Sequence, residues 1–293
     1  MNILKKLFGS KSAKTYSSDN HSEIVSESIQ NYSQGTESRI PAVKQYFKTG
    51  LFNKFISILV TACFIISIVN LLAFANIEAP IDDTQKPQSY PNFNMPQAYI
   101  EAAVDAGFDV FSLCNNHTND QGRSGIKETV KSAERLVKRS KERGEDIYFS
   151  GLKDGKDAQF SYNVIEKNGW RILFLPMTEI LNRPQNSEYI NYIDNSEKSR
   201  KDFIKYVKQL RESNPCDLMV LSIHAYEVEY TRKVTESQNK YYMDLLDAGV
   251  DVLWANHAHI IKDRKYIYYS ETQSHKVIMY ANGNTISGQR TKP

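Results

Sequence analysis

Cysteine is scarce: Cys63, Cys114 and Cys216 are the only three in 293 residues. They are odd in number and irregularly spaced, which excludes a disulfide framework and a cysteine-based zinc motif. No Gly-x-Gly-x-x-Gly or Walker-type loop occurs, which removes the simplest nucleotide-binding readings. A net charge of only +3 gives no footprint for a nucleic-acid partner, and none is expected. The mean hydropathy of -0.51 excludes a polytopic membrane protein, and no internal repeat is evident. What is present suffices for a packed core, since 41% of the residues are hydrophobic.

The chain opens with a stretch rich in Ser, Asn, Gln and Lys, read as a disordered cytoplasmic tail over residues 1–50. Residues 51–75 follow as a transmembrane anchor, carried by the uncharged run Phe55–Ala75, close to the roughly 20 residues a bilayer span needs. Lys44, Lys48 and Lys54 precede the run and Glu78, Asp82 and Asp83 follow it, so the positive-inside bias puts the amino terminus in the cytoplasm. The expectation is a single-pass protein of the cell membrane with an extracytoplasmic domain over residues 76–293. Two alternatives compete. Ala73-Phe74-Ala75 could be a signal-peptide cleavage site, or Leu71–Ala75 could be a core strand of the soluble fold ending at Asn76-Ile77-Glu78.

Beyond the Pro-rich connection 82–96, short helices alternate with short apolar strands. Expected helices cover 97–106, 123–143, 200–212 and 238–248, and expected strands cover 108–113, 158–166, 170–176, 217–223, 250–254, 266–269 and 277–280. Asn168-Gly169 between apolar runs predicts a hairpin. The pattern implies an α/β (α+β) layered fold.

Polar clusters stand at the ends of three of these strands: Asn115-Asn116-His117 with Asp120, then His224, then His257 with His259. Four of the six histidines fall there, whereas His21 and His275 lie elsewhere. One histidine at a strand end means little, and Asn115–Gly122 alone could be an ordinary polar turn. Four at three strand ends imply convergence on one site, at the place where open α/β sheets bind ligands. His257-Ala258-His259, if extended, would point both rings to one face. Imidazole, an Asn amide oxygen and a carboxylate form a mixed shell suited to zinc, manganese or iron. His117, beside the candidate ligand Asn116, is placed to protonate a leaving group, so metal-assisted hydrolysis, with a phosphoester as first choice, is the chemistry expected.

Several motifs in order carry a family resemblance from about Leu72 to Gly288. They are Asn76-Ile77-Glu78-Ala79-Pro80, Asn115–Gly122, Ser222-Ile223-His224, Gln238, Leu245–Val252, His257-Ala258-His259 and Asn282-Gly283-Asn284. Together they resemble the poly-gamma-glutamate capsule biosynthesis (CapA-type) family, similar in fold to calcineurin-like metallophosphoesterases. The resemblance implies a layered sandwich with a metal pocket at strand ends. It implies that Glu78, Asn116, His224, His257 and His259 hold one or two divalent ions and that His117 is the catalytic acid. Asp120, grouped with His117 as catalytic, would brace the loop or the ring of a metal ligand, and Asn76, Asn115 and Asn284 would contact substrate. The expected partners are an anionic capsule or envelope polymer, the membrane, and capsule synthesis or export proteins. Three positions depart from the pattern. No Gly-Asp strand end precedes Asn76, Ala225-Tyr226 replaces Trp-Gly after His224 and leaves Glu229-Tyr230 a residue out of register with the family's Glu-Tyr, and Ala255-Asn256 replaces Gly-His before His257. A metal position is thereby weakened, and a catalytically degenerate, membrane-anchored polymer-binding or export-assembly factor is the alternative function.

Overall fold

Two sheets packed face to face, each covered outside by a helix pair, position everything that follows. The computed structural model describes residues 72–285 and 287. The expected tail and most of the expected membrane span lie outside them. At the end of that span the strand alternative holds: Phe74–Asn76 forms β1 and pairs in parallel with β2, Val110–Ser112. Among the described residues no helix is long and apolar enough to cross a membrane.

The smaller sheet has the order β1-β2-β3, where β3 is Tyr148–Ser150 and all pairs are parallel. The larger contains β4 (Asn163–Lys167), β5 (Trp170–Thr178), β6 (Leu218–His224), β7 (Val252–Asn256), β8 (Arg264–Tyr269) and β9 (Ser274–Met279), in the order β4-β5-β6-β7-β9-β8. Its four central strands are parallel and its two edges antiparallel. The β4–β5 turn is the expected Asn168-Gly169 hairpin, with φ of 55° and 78°, values an Asn-Gly pair adopts readily.

Alternation along β5 shows why the layers form. Ile172 and Phe174 face the smaller sheet, where Phe74 meets Phe174 at 5.4 Å between ring centroids. Leu173, Leu175 and Met177 face α3 (Glu197–Ser213) and α4 (Glu236–Asp247). β6 is covered on both faces, hence its nearly unbroken apolar sequence. Helix α3 presents Phe203, Val207 and Leu210 to this core, a helical i, i+4, i+7 stripe. Ser196 and Thr235 cap α3 and α4, accepting from the N–H groups of Ser199 and Gln238 at 3.2 and 3.1 Å. On the far side, α1 (Gln97–Asp105) and α2 (Gly122–Glu142) cover the small sheet through Ile100, Val104, Ile126, Ala133 and Leu136. The result is a four-layer helix–sheet–sheet–helix sandwich, as the α/β expectation required.

Candidate metal centre

Parallel pairing brings the carboxyl ends of β1, β2, β6 and β7 to one edge, where the polar clusters meet. His224, the last residue of β6, is wholly buried. His257 follows the end of β7, with its Nδ1 3.2 Å from His224 Nε2. Glu78, just past β1, places Oε1 3.9 Å from His224 Nε2 and 3.8 Å from His259 Nε2. Donor atoms of Glu78, His224 and His257 all lie within 4.8 Å of one another.

The route to this convergence differs from the extended His-x-His expected. β7 ends at Asn256, and His257 and His259 have φ of 104° and 55°. Their rings therefore converge through left-handed turn geometry rather than strand alternation. Such strained backbone persists where the surroundings impose it, and it clusters at functional sites.

Burial governs the site's protonation. It pushes the Glu78 carboxyl up, while the His259 and His117 imidazoles oppose that shift. It pushes His224 well below the usual imidazole range, aided by its histidine neighbours. It lowers His257 to about 4, with His259 and His117 contributing. Both imidazoles are thus neutral near pH 7, the state that offers a lone pair to a metal.

Asn116 is buried, and its Oδ1 meets no hydrogen-bond donor among the described residues. His224 Nδ1 and Asn76 Oδ1 are likewise without a partner. Buried polar atoms without partners are costly in a protein interior. Unsatisfied N and O donors around an imidazole–carboxylate group fit a divalent cation of the zinc, manganese or iron type.

His117 stands beside this group in a pocket built to orient it. Its Nδ1 is 2.7 Å from Asp120 Oδ2, which also accepts from the Phe93 N–H at 2.8 Å. The Phe93 ring packs edge-on against the imidazole at 4.4 Å. Asn182 adds a contact that sequence reasoning missed. Its Nδ2 lies 3.4 Å from both ring nitrogens of His117, and its backbone N–H donates to the Asn116 carbonyl at 2.9 Å. Asn182 sits in the polar stretch after β5, where nothing in the sequence distinguishes it.

The residues expected to touch substrate are placed unevenly. Asn115 is fully buried, donates to the Ile77 carbonyl at 2.6 Å and accepts from the His117 N–H at 3.0 Å, so it braces the loop. Asn76 donates to Glu78 Oε2 at 3.4 Å. Asn284 is exposed and lies with Oδ1 2.9 Å from His259 Nδ1. Glu229, from the loop after β6, also faces the histidines, with Oε1 3.9 Å from His257 Nε2 and 4.0 Å from His259 Nε2.

Fold and site together define a layered α/β protein with a histidine–carboxylate cluster at its strand ends, able to hold a divalent ion. The chain belongs to the family described as bacterial capsule synthesis protein PGA_cap, which matches residues 54–289. It is 26% identical over 229 residues to the capsule biosynthesis protein CapA of Bacillus anthracis, covering 74% of this chain and 51% of that protein. The chain therefore spans about half the length of this curated relative. Among solved structures, a hypothetical protein from Thermus thermophilus aligns with a TM-score of 0.41 and 15% identity, over 74% of this chain and 68% of that one. A Staphylococcus aureus protein provisionally named a 5'-nucleotidase, in complex with alpha-ketoglutarate, aligns with a TM-score of 0.36 and 12% identity, over 66% and 42%. Structural likeness at this level carries no functional argument, and the family assignment rests on the sequence match.

Proposed function

We propose that this protein is a metal-dependent, metallophosphatase-like hydrolase of capsule, poly-gamma-glutamate or cell-envelope polymer metabolism, with phosphoester hydrolysis as its chemistry. The observation that carries the reading is the grouping of Glu78, His224 and His257 within 4.8 Å, beside the oriented His117–Asp120 pair. Glu78, His224 and His257 would hold the ion, with Asn116 and His259 as further donors. A divalent ion there would supply positive charge to polarise an anionic ester and offset charge developing on it. Asp120 holds the Nδ1 side of His117, which leaves Nε2 as the atom that accepts or delivers a proton. Phe93 and Asn182 fix the ring's plane, and the burial of Thr118 and Asn119 beside it limits access of bulk water. A single-pass membrane anchor, cytoplasmic amino terminus and extracytoplasmic domain accompany this proposal, as does engagement of capsule synthesis or export proteins.

Cleavage of an aryl phosphodiester by the full chain, assayed with manganese, zinc and iron in turn, is the test. Metal-dependent turnover is expected, with His117→Ala lowering kcat by about 100-fold or more while metal binding persists. No cleavage with any ion, in protein whose fold is intact, overturns the enzymatic reading. Retained binding of an anionic polymer by that inactive protein would then favour a degenerate polymer-binding or export-assembly factor, the outcome foreshadowed by the missing Gly-Asp segment.

A further inference from the structure

Arg183 carries a guanidinium beside the His117 pocket that neither the ion position nor the proton path uses. We propose that Arg183 sets specificity by binding an anionic group on the leaving-group portion of the substrate, so that the protein favours phosphoesters whose released alcohol is itself negatively charged. This assignment rests on the hydrolase reading of the same site, through the place that reading gives the leaving group. It adds a substrate feature and the residue that recognises it.

Placement comes first. The polar loop after β5 is registered to the loop after β2 by two contacts. Asn182 N–H donates to the Asn116 carbonyl at 2.9 Å, and buried Asn119 donates through Nδ2 to the Arg183 carbonyl at 3.1 Å. Asn182 also reaches the ring nitrogens of His117, so Arg183, next along the chain, is held close to the proposed acid. Its side chain turns to the Asp120 side of that ring. Nη1 donates to the Asp120 carbonyl at 2.8 Å and Nη2 to Asn92 Oδ1 at 2.6 Å. Asn92 in turn precedes Phe93, which packs on the imidazole. A phosphoester held at the Glu78, His224 and His257 donors, with His117 protonating its leaving oxygen, would extend its leaving group past His117 towards Arg183.

Charge is the second consideration. Both acceptors that hold the guanidinium are neutral, and among the described residues no carboxylate pairs with it. Arg200 shows the contrasting arrangement, closed by Glu179 through two bonds at 2.6 and 2.9 Å. Arg183 is exposed and keeps its full charge. The free part of its planar donor fork, Nε included, matches a carboxylate or phosphate from outside. Two hydrogen bonds already fix the side chain, so little rotamer freedom remains to be lost on binding.

The pocket is also asymmetric. On the His257 side stands the Glu229 carboxylate, with Oε1 3.9 Å from His257 Nε2. A negatively charged substituent is repelled there and attracted at Arg183, which orients an anionic substrate across the site.

Equilibrium binding of two labelled peptides to the full chain supplied with manganese, followed by fluorescence polarisation, tests this. Each peptide carries an uncleavable phosphonate analogue of phosphoserine, flanked by glutamates in one and by glutamines in the other. Wild type is expected to prefer the glutamate peptide by about 10-fold or more, the scale of a charge-assisted pair. Arg183→Gln, which retains a donor for the Asp120 carbonyl, should reduce the preference below about 2-fold. Arg183→Lys keeps the charge, loses the fork and should fall between. Lys198→Gln, the same charge change at an exposed position of α3, should keep the wild-type preference. A wild-type preference under about 2-fold overturns the proposal, as does an undiminished preference in Arg183→Gln. Equal weakening of both peptides in Arg183→Gln, with thermal melting lowered, overturns it too, because a residue that only ties two loops together acts on every ligand alike. Failure of wild type to bind either peptide has the same consequence. Phosphate release from the phosphoester forms of the two peptides separates this proposal from the hydrolase reading. No release with the preference intact overturns the hydrolase reading and leaves the recognition of flanking anions by Arg183 standing, whereas release without preference overturns the role of Arg183 alone.

Discussion

Replacing Lys262 by Met would remove the cation from the most deeply buried ion pair near the site. Its side chain is 0% exposed and that of Glu227 is 7% exposed. Besides Lys262, Glu227 Oε2 is held by Gln238 Nε2 at 3.1 Å, and its Oε1 has no partner among the described residues. Lys262→Met therefore strands a carboxylate in the interior with one neutral donor. Breaking a buried pair in this way costs about 3–5 kcal/mol, because the remaining charge keeps its desolvation penalty and loses its compensation. For a domain of this size each kcal/mol shifts Tm by roughly 2–4 °C, so a fall of about 6–20 °C is expected. Glu227→Leu should cost a similar amount by stranding the ammonium instead. Combining Lys262→Met with Glu227→Leu removes both charges, and replacement of a buried pair by apolar residues is often neutral, so the double variant should recover most of the loss. Thermal melts and urea midpoints of the two single variants and the double variant in chelator provide the cycle. Costs below about 1 kcal/mol for both single variants, or strict additivity in the double, would refute the claim that the pair is desolvated and coupled. The same cycle followed with a metal titration should show the single variants binding ions more weakly, since Glu227 and Lys262 anchor the segments that carry Glu229 and His259.

Three further outcomes follow from local geometry. Gly151 has φ of 116°, and a Cβ there would come within 2.9 Å of both the backbone N and the Sγ of Cys114; Gly151→Ala should cost about 2–4 kcal/mol by urea unfolding, and a loss under about 0.5 kcal/mol would contradict the close approach. Burial pushes the Cys114 thiol up to about 12, so at pH 9 only about one part in a thousand is thiolate; peptide mapping after alkylation of folded protein should find Cys216 modified well before Cys114. In the metal-free protein His257 has its ionisation lowered to about 4, from 6.5. The unfolded chain then binds more protons than the native one between those values. Stability is full above about pH 6.5, falls as the pH drops towards 4, and changes no further from this group below that, a total of the order of 3 kcal/mol. Urea midpoints independent of pH across this window would remove His257 from the buried neutral group.

The sequence by itself determined the layers. Apolar runs such as Leu218–Ile223 have one economical fate, burial on both faces, and the helix stripe Phe203, Val207 and Leu210 has one face to hide. Asn168-Gly169 specified its turn because few other dipeptides accept two left-handed conformations. The histidines announced a common site because each stood where an apolar run stopped. Short β3 was missed, since Tyr148-Phe149-Ser150 is too brief to show a period of its own. The end of the apolar run before Asn76 was equally ambiguous, because a membrane segment and a buried strand share one composition; pairing of Phe74 with Val110 and of Ala75 with Phe111 decided for the strand at that end. Tertiary structure alone decided which polar residues share the pocket. Asn182 and Glu229 come from irregular loops without periodicity, and their positions depend on hydrogen bonds to residues dozens of places away. The ring directions of His257 and His259 depend likewise on left-handed turns that no alternation rule anticipates. Local patterns record which surfaces must be buried, whereas the meeting of donor atoms around a small site is a property of the assembled chain ends.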